Sequence, residues 1–591
     1  MTLPPNHSAS SHARPSASHS AIASSSEAPH SSGPQRDDNA FCGASDEGRR
    51  STSTLHDLSD ASAPAGASEK REGGDKFSRP DDLDAQEKGE GSREKDDGDV
   101  EEVVIVDWKG KDDPACPLNW SYGRRMLSTL TVAGFTLLAP LSSSMIAPAA
   151  GQVAEYLNIT DEVEVQMSVS IFVLAFAVGP LIFGPMSELY GRMRVLQGAN
   201  LLYLVFNLVC AFAKTKGQFI AFRFISGLGG GAPLSIGAGV LSDLWRPEER
   251  GRGAALYSLM PLLGPALGPL LSGQIAYNLP VDGWRWVFYS TTIFSAFVQF
   301  IGFFLLRETY GPILLLREAH RLKRSMGLPA DSDRVQTIHE SKAGRKSVRQ
   351  IVAHGMLRPF SLFISEQIIM LFAAYMSVIY GTIYILLTTT SSIYEGVYGQ
   401  NVAIASLHYI ALMLGFMAAS QGGARGLDVI YRRLKAKRGG QGKPEYRLPL
   451  VFPASVILPI GLLLYGWGAQ KRLHWIVPDI GLFCIGLSMI LIFQASTSYM
   501  IDTFTLHAAS ALAATICLRS ICGFAFPLFA PYMYNAIGYG WGCSILALVA
   551  AVVGGPAAPL LYIYGERIRT HSRYAHRSSE KKTDAAQRRS R

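Results

Sequence analysis

Long apolar segments recur along the chain from Met126 onward, with short polar breaks between them. Each segment has about the twenty residues that a helix needs to cross a bilayer, so the pattern predicts membrane-spanning helices. We count twelve and number them spans 1 to 12. They cover residues 126–150, 165–186, 193–213, 218–241, 253–277, 284–306, 360–388, 402–420, 448–469, 475–501, 508–531 and 541–564.

Polar stretches divide these spans into two groups of six. Residues 1–107 are rich in Ser, Ala, His and Pro and then carry mixed charge, a composition that cannot bury enough apolar surface to fold. A second polar break splits the spans six and six, as in a duplicated transporter. The sequence therefore predicts an all-α membrane protein with two pseudo-symmetric six-helix bundles. The expected parts are a disordered cytosolic arm (1–107), two bundles (108–306 and 360–565), a cytosolic loop (307–359) and a cytosolic tail (566–591).

Charged residues recur at matching places in the two groups, which favours duplication. The recurring residues are Glu188 and Arg192 after span 2, Asp428 and Arg432 after span 8, and Asp243 and Asp502 at the ends of spans 4 and 10.

Lys and Arg concentrate in the even-numbered breaks. The odd-numbered breaks carry only Lys214, Lys216, Lys471 and Arg472. By the positive-inside rule the even breaks and both termini are cytosolic, and this topology also explains the net charge of +8 without nucleic acid. The break 151–164 is then external, and its Asn158-Ile-Thr matches a glycosylation acceptor, although such matches also arise by chance.

Span 5 contains an unusual stretch at residues 259–273. Pro261, Pro265 and Pro269 fall four residues apart, so on a helix they form one stripe. A neighbouring stripe consists of Gly264, Gly268 and Ser272. Each proline removes an N–H and bends the helix, and the freed carbonyls need cover in lipid. We therefore expect this face to lie against protein or a watery cavity.

The break between spans 2 and 3 reads Gly184-Pro-Met-Ser-Glu188-Leu-Tyr-Gly191-Arg192-Met-Arg194. It resembles the Gly-x-x-x-Asp/Glu-x-x-Gly-Arg-x-Arg motif of the major facilitator superfamily. Similarly, Gly264-Pro265-Ala-Leu-Gly268 resembles the antiporter motif of its twelve-span drug:proton antiporters, although Met260 and Pro269 stand where members commonly have glycine. Further stretches resemble the fungal branch: residues 113–121, Arg223 with Gly227, 283–286, 307–310 and 565–569.

The resemblance implies a cytosolic latch of Glu188, Arg192 and Arg194, with Asp243 as the partner of Arg192. The alternative is that these residues only cap helix ends. Span 4 places Arg223 at the head of a stripe of small residues, namely Gly227, Gly231, Ser235 and Gly239. The resemblance assigns Arg223 to proton coupling, whereas the plainer interpretation is a tether to carbonyls of a neighbouring helix. Smooth faces of spans 4 and 5 would suit the moving interface of an alternating-access transporter.

Two further residues are candidates for proton coupling, because titratable groups in low dielectric can hold and release a proton. They are Glu366 in span 7 and His408 in span 8; each could equally be a packing or helix-end residue. Tyr380, Tyr384, Gln494 and Arg519 are candidates for the cavity wall. The two tyrosines could instead be interfacial, and Arg519 could pair with Asp502 or a helix terminus.

These observations predict a monomeric, proton-coupled exporter of amphiphilic or hydrophobic small molecules, such as a toxin, a glycolipid or a drug. We expect it in the plasma membrane rather than the vacuolar membrane. A polyamine transporter and a transporter-derived nutrient sensor are the alternatives. The sequence has neither a nucleotide-binding loop nor a His-Glu-x-x-His or Gly-x-Ser-x-Gly arrangement, so we expect no enzyme activity, cofactor or nucleotide. Five cysteines lie in apolar segments without metal-ligand spacing, and we expect no metal.

Overall fold

The computed structural model describes residues 103–110, 112–246, 249–329, 332, 334–338, 348–439, 442–504 and 508–572, all within one compact unit. Most of the N-terminal arm, parts of the central loop and most of the tail lie outside the described residues.

Helices make up both halves of the protein. The first half contains α1 (Tyr122–Met145), α2 (Ala150–Tyr156), α3 (Glu162–Tyr190), α4 (Arg192–Cys210), α5 (Lys216–Leu244), α6 (Arg250–Asn278) and α7 (Gly283–Leu305). The connection contains α8 (Gly311–Ser325). The second half contains α9 (Val348–Ser365), α10 (Gln367–Tyr398), α11 (Val402–Leu407), α12 (Tyr409–Lys437), α13 (Val451–Gln470), α14 (Ile476–Thr503) and α15 (Ala508–His571).

Two short strands lie outside the helical halves. Strand β1 (Val104–Val106) precedes α1, and β2 (Val335–Thr337) follows α8 in the central connection. They pair in parallel, with Val104 opposite Val335. The segment before the first span is therefore attached to the linker between the halves.

Eleven helical segments in the described part of the chain are long and apolar enough to cross a membrane. The last one, α15, has 64 residues, which as a straight helix would measure about 96 Å, roughly three times the hydrocarbon thickness of a bilayer. Its backbone leaves the helical region at Gly538, with φ 79° and ψ 167°. Beyond this turn, Gly542 packs on the ring of Tyr534, so α15 folds back and supplies two spans. The prediction of twelve spans is thus confirmed.

Polar side chains start several helices where the sequence turns from loop to span. Asp161 accepts a hydrogen bond from the N–H of Val163 at the start of α3, and Thr215 accepts one from Gln218 at the start of α5. Asn401 does the same for α11. Each side chain satisfies one of the free N–H groups in the first helical turn.

The outer surface carries large apolar side chains. On α7, Phe297, Phe300, Phe303 and Phe304 are each more than half exposed. Their spacing of three to four residues forms a stripe that points away from the bundle. A stripe of exposed phenylalanines fits a lipid-facing surface.

The bundle has two chemically different ends. We call the end that holds Arg192 and Arg447 the basic end, and the end that holds Asp161 and Tyr532 the opposite end. In the described part of the chain, the hydrogen bonds that cross between the halves lie at the opposite end or at the centre. They join Asp161 to Tyr532 (3.3 Å), Glu162 to Asn535 (3.4 Å), Gln274 to Ala403 (2.9 Å) and Ser406 (3.4 Å), and Ser143 to Tyr384 (3.0 Å). The opposite end is therefore closed.

Candidate functional site

The last turn of α1 is a junction between helices of both halves. Three consecutive serines there are almost fully buried, and each contacts a different helix. Ser142 lies 2.5 Å from the hydroxyl of Tyr203 in α4, Ser143 lies 3.0 Å from the hydroxyl of Tyr384 in α10, and Ser144 faces α6. A movement of this turn therefore affects both halves.

Arg223 binds the same turn from α5. The side chain is only 1% exposed, and its guanidinium donates to the carbonyls of Ser142 and Val169, both at 3.1 Å. It also lies 4.8 Å from the centre of the Phe172 ring. The cation sits at the carbonyl end of α1, where the helix dipole favours positive charge. This geometry is that of a tether between α1, α3 and α5.

Aromatic side chains and one arginine form a second cluster at the junction of the halves. The rings of Tyr380 and Tyr384 are 5.0 Å apart, and the Arg519 guanidinium lies 4.9 Å from the Tyr380 ring and 5.5 Å from that of Phe493. One turn beyond Arg519, Gly523 packs between Tyr380 and Val173 of α3 in the first half. The cluster therefore faces the space between the bundles.

Arg519 keeps unused hydrogen-bonding capacity in this cluster. Its Nε is buried and has no hydrogen-bond partner among the described residues, and no carboxylate among them lies within ion-pair distance. Asp502, the alternative partner, pairs with Arg447 instead. A guanidinium held between aromatic rings can bind the rings or acceptor atoms of a ligand.

The glycine stripe of span 5 packs inside the first half rather than along the boundary between the halves. A Cβ at Gly264 would lie 2.8 Å from the backbone N of Leu141, and one at Gly268 would lie 2.6 Å from its carbonyl O. Both neighbours belong to α1. The two glycines thus let α6, which also contains Pro265 and Pro269, approach α1 at backbone distance.

The span 4 glycines also pack within the first half, so the expectation that these stripes form the moving interface is wrong for the glycines named here. Gly227 lies against the Phe172 carbonyl and Gly231 against Phe176, both in α3, because close approach of α5 and α3 excludes side chains. Gly239 lies under the Arg192 guanidinium. At the boundary itself lies Gly273, which contacts Ser406 of the second half.

Arg192 and Asp243 form an ion pair at the basic end, with Nε 2.6 Å from Oδ2. Both side chains are mostly buried, at 12% and 16% exposure. Glu308 completes the site, because its Oε1 accepts hydrogen bonds from the N–H groups of Arg192, Thr309 and Tyr310. The resemblance implies Glu188 as the acid of the latch, but in the structure the acid that contacts Arg192 beside Asp243 is Glu308.

The other motif residues occupy different positions. Glu188 and Arg194 are exposed, and Gly184 has open space at its Cβ position. Gly191 has φ 99°, and a Cβ there would meet the Glu308 carboxylate. Glycine is therefore required at 191 for both backbone conformation and space. Glu308 lies in the stretch 307–310 that resembles the fungal branch of the family. The spacing of residues along the chain did not indicate its contact with Arg192 of α4.

A matching ion pair lies in the second half. Arg447, in the turn before α13, places Nε 2.7 Å from Asp502 and NH1 3.6 Å from Asp428. Arg432, which the sequence analysis named with Asp428 only as evidence of duplication, donates to the Asp428 carbonyl one turn back. Sequence reasoning missed Arg447 because it comes from a different loop segment, about 20 residues downstream.

Glu366 lies at a helix break. It separates α9 from α10, is 3% exposed, and has extended backbone angles of φ −117° and ψ 104°. Its side chain caps no N–H, and no hydrogen bond to it is found among the described residues.

His408 lies between α11 and α12 near the opposite end, and its own backbone angles are helical (φ −64°, ψ −20°). Its Nδ1 is 2.9 Å from both carboxylate oxygens of Asp479, and its Nε2 is 2.8 Å from Oε1 of Gln400. The imidazole stacks on Tyr394, with centroids 3.6 Å apart and planes within 6°. The sequence pointed to His408, but Asp479 lies 71 residues away and was not noticed.

Two remaining candidates have simpler surroundings. Gln494 donates to the Ser420 carbonyl at 3.3 Å and touches Gly423, so it faces α12 within the second half. Asn158 is exposed in the turn between α2 and α3 and has a positive φ of 53°. An exposed asparagine in a turn is accessible to modification.

The two bundles, the helix breaks and the junction between the halves define a multi-pass membrane transporter. The family model described as "Major Facilitator Superfamily" matches residues 132–527. The chain belongs to this superfamily.

Fungal relatives share most of the chain. It is 42% identical over 473 residues to "Efflux pump vrtL" of Penicillium aethiopicum, covering 80% of this chain and 91% of that protein. It is 37% identical to "MFS-type transporter penM" of Penicillium rubens (81% and 92% covered) and 36% identical to "Efflux pump radE" of Floropilus chiversii (80% and 86%).

Solved structures agree at the level of the fold. A partially occluded inward-open structure of the xylose transporter XylE from E. coli superposes with a TM-score of 0.54 at 16% identity, covering 75% of this chain and 99% of that one. The human organic anion transporter MFSD10 gives 0.50 at 17% identity, covering 74% and 100%. Both have the predicted two-bundle fold.

Proposed function

We propose that this protein is a proton-coupled exporter of amphiphilic or hydrophobic small molecules that works by alternating access. The observation that carries the proposal is the 42% identity to a fungal protein described as an efflux pump, over nine-tenths of that protein's length. The cargo is a self-made secondary metabolite, such as a toxin or glycolipid, or a foreign drug. The basic end faces the cytosol, and the protein resides in the plasma membrane.

The aromatic cluster supports this class of cargo. Tyr380, Tyr384 and Phe493 offer ring faces to an apolar ligand, and Arg519 offers a cation. A cationic polyamine would meet like charge here, whereas a neutral or anionic aromatic compound would find a cation and hydrogen-bond donors. The cluster thus favours an aromatic or acceptor-rich metabolite over a polyamine.

Proton coupling requires titratable groups that differ between the two states of the transporter. Glu366 lies at a helix break and His408 at the boundary between α11 and α12, where a change of charge can alter the angle between two helix segments. Arg223 keeps its charge at any physiological pH, so in this proposal it couples the states as a tether between α1, α3 and α5.

Inside-out membrane vesicles test the function directly. We expect vesicles that carry the protein to accumulate an aromatic fluorescent amphiphile, such as rhodamine 6G, when their interior is acidified, and a protonophore to abolish the uptake. Arg519→Gln should change the apparent affinity, whereas Arg433→Gln, at an exposed position outside the candidate sites, should not. Accumulation that ignores the proton gradient would contradict the coupling.

Cells test the natural cargo. In a strain that lacks the protein, we expect at least one hydrophobic metabolite to shift from the medium into the cells, and the wild-type chain to restore its release. A signalling defect with unchanged metabolite distribution would instead favour the nutrient-sensor alternative.

A further inference from the structure

We propose that His408 and Asp479 form a proton-binding site whose protonation holds the opposite end of the transporter closed. The inference rests on the proposed proton coupling, but it concerns one site and one movement that can be observed without cargo.

The hydrogen bonds of His408 bridge a very short helix. Helix α11 comprises only Val402–Leu407; Gln400 precedes it and His408 follows it. The bond of 2.8 Å between His408 Nε2 and Gln400 Oε1 therefore joins the two ends of α11. The bonds to Asp479 attach this unit to the first turn of α14. The imidazole thus connects both ends of α11 to α14.

The same helix closes the opposite end. Gln274 of α6, in the other half, donates to the Ala403 carbonyl at 2.9 Å and lies 3.4 Å from Ser406 Oγ. Beside it, Gly273 packs directly on Ser406. Both contact residues on the second half belong to α11. A shift of α11 relative to α14 therefore weakens the closure on the Gln274 side.

The hydrogen-bond chemistry favours a charged imidazole in this arrangement. Both ring nitrogens face oxygen acceptors, and only the protonated form of histidine has two N–H donors. Loss of the proton leaves Nε2 without a donor hydrogen, so the Gln400 amide must rotate to present its NH₂ group. It also removes the charge-assisted character of the bond to Asp479. Protonation thus favours the clamped, closed form.

Other titratable groups surround the pair. The titratable groups near it in the described part of the chain are Tyr394 and Tyr398 of α10, Glu395 on the same turn, Tyr465 of α13, and His474 at the start of α14. Tyr394 donates to Asp479 at 2.6 Å. His474 is exposed and stacks on the outer side of Trp475.

The pair lies beside a groove on the second half. A groove of about 630 Å³ between α11, α12 and α14 is lined by Gln400, His408 and Asp479 among otherwise apolar residues. Ile404, Leu407 and Trp475 at its margin are partly exposed. In an exporter driven by external protons, this position lets a proton bind at the outer face and close it behind the departing cargo.

Distances between two spin labels at the opposite end test the inference in detergent or nanodiscs, without cargo. Val281 in the first half and Leu473 in the second are both exposed there. They can be labelled as cysteines in a chain whose native cysteines are replaced. We expect the distance to lengthen as the pH rises from about 5 to about 8, a range that brackets ordinary histidine titration. In His408→Gln the distance should stay constant, and in the matched control His474→Gln it should change as in the unsubstituted chain.

A second variant keeps the test valid if His408→Gln does not fold. Asp479→Asn removes the counter-charge of the imidazolium, so the midpoint of the distance change should move to lower pH by about one unit or more. A distance change in His408→Gln or an unmoved midpoint in Asp479→Asn would overturn the inference. Vesicle uptake without proton dependence would refute the proposed function separately, whatever the distances show.

Discussion

Substitution of Gly268 by alanine gives a sharp test of how α6 packs on α1. The added Cβ would lie 2.6 Å from the Leu141 carbonyl oxygen and 2.5 Å from Ser144 Oγ. Ordinary C···O contacts are about 3.3 Å or longer, so α6 must move away from α1 by roughly 0.7 Å at this point. The blocking atom at Leu141 is backbone and cannot rotate aside.

The expected cost follows from overpacking. Inserting a methyl group into a close-packed contact costs about 1–3 kcal/mol. In an open helical position the same change should stabilise by about 0.5–1 kcal/mol, because alanine loses less backbone freedom than glycine. Gly198 in α4 is exposed and has open space at its Cβ position, so it is the matched control. Gly268→Ala should therefore lower the free energy of unfolding, and Gly198→Ala should raise it.

Thermal unfolding of the purified variants, monitored by size-exclusion chromatography, measures the direction of each change in stability. We expect Gly268→Ala to melt below the wild type and Gly198→Ala to melt at or above it. Gly268→Leu should remain in the membrane but lose export, because the displaced turn of α1 carries the Ser143 contact to the other half. Equal or greater stability of Gly268→Ala would refute the backbone contact described here.

Two further predictions concern ion pairing and the junction of the halves. Arg192→Gln should lower the free energy of unfolding by about 3–5 kcal/mol, because it leaves the mostly buried Asp243 unpaired, and the double variant with Asp243→Asn should recover part of that loss. Unfolding of the wild type, the two single variants and the double variant measures the coupling energy of the pair, and additive effects of the two substitutions would contradict the prediction. Tyr384→Phe removes a hydrogen bond to Ser143 worth about 0.5–1.5 kcal/mol from the closed form. A larger fraction of molecules should therefore show the longer distance between labels at Val281 and Leu473 at constant pH. An unchanged distance distribution would show that the bond to Ser143 does not favour closure.

The sequence predicts the architecture well, because apolar span length and loop charge are local properties. The sequence does not reveal contacts between residues that are distant along the chain. The recurrence of Asp428 and Arg432 indicated duplication, but it did not identify Arg447, which lies in another segment and pairs with both Asp428 and Asp502. Likewise Asp479 reaches His408 only because α14 packs beside α12.

The glycine stripes illustrate a different limit. A helix face without side chains signals close approach, and the sequence shows this at Gly264 and Gly268. It does not identify the approaching helix, since any neighbour would impose the same requirement. Only the structure assigns the contact to α1 and so changes the inferred role from sliding surface to fixed packing within one half.

The hydrogen bonds that cross between the halves set an energy scale for the transport cycle. Both arginine–aspartate pairs lie inside single halves, so they stiffen each half as a body and need not break when the halves rock. At the centre and opposite end, five neutral or exposed hydrogen bonds among the described residues must break, together worth about 2.5–7.5 kcal/mol net. Reversing a two-state population from 1:99 to 99:1 takes about 5.5 kcal/mol. The closure is therefore weak enough to be reversed by binding energies of ordinary size, and neither arginine–aspartate pair has to break.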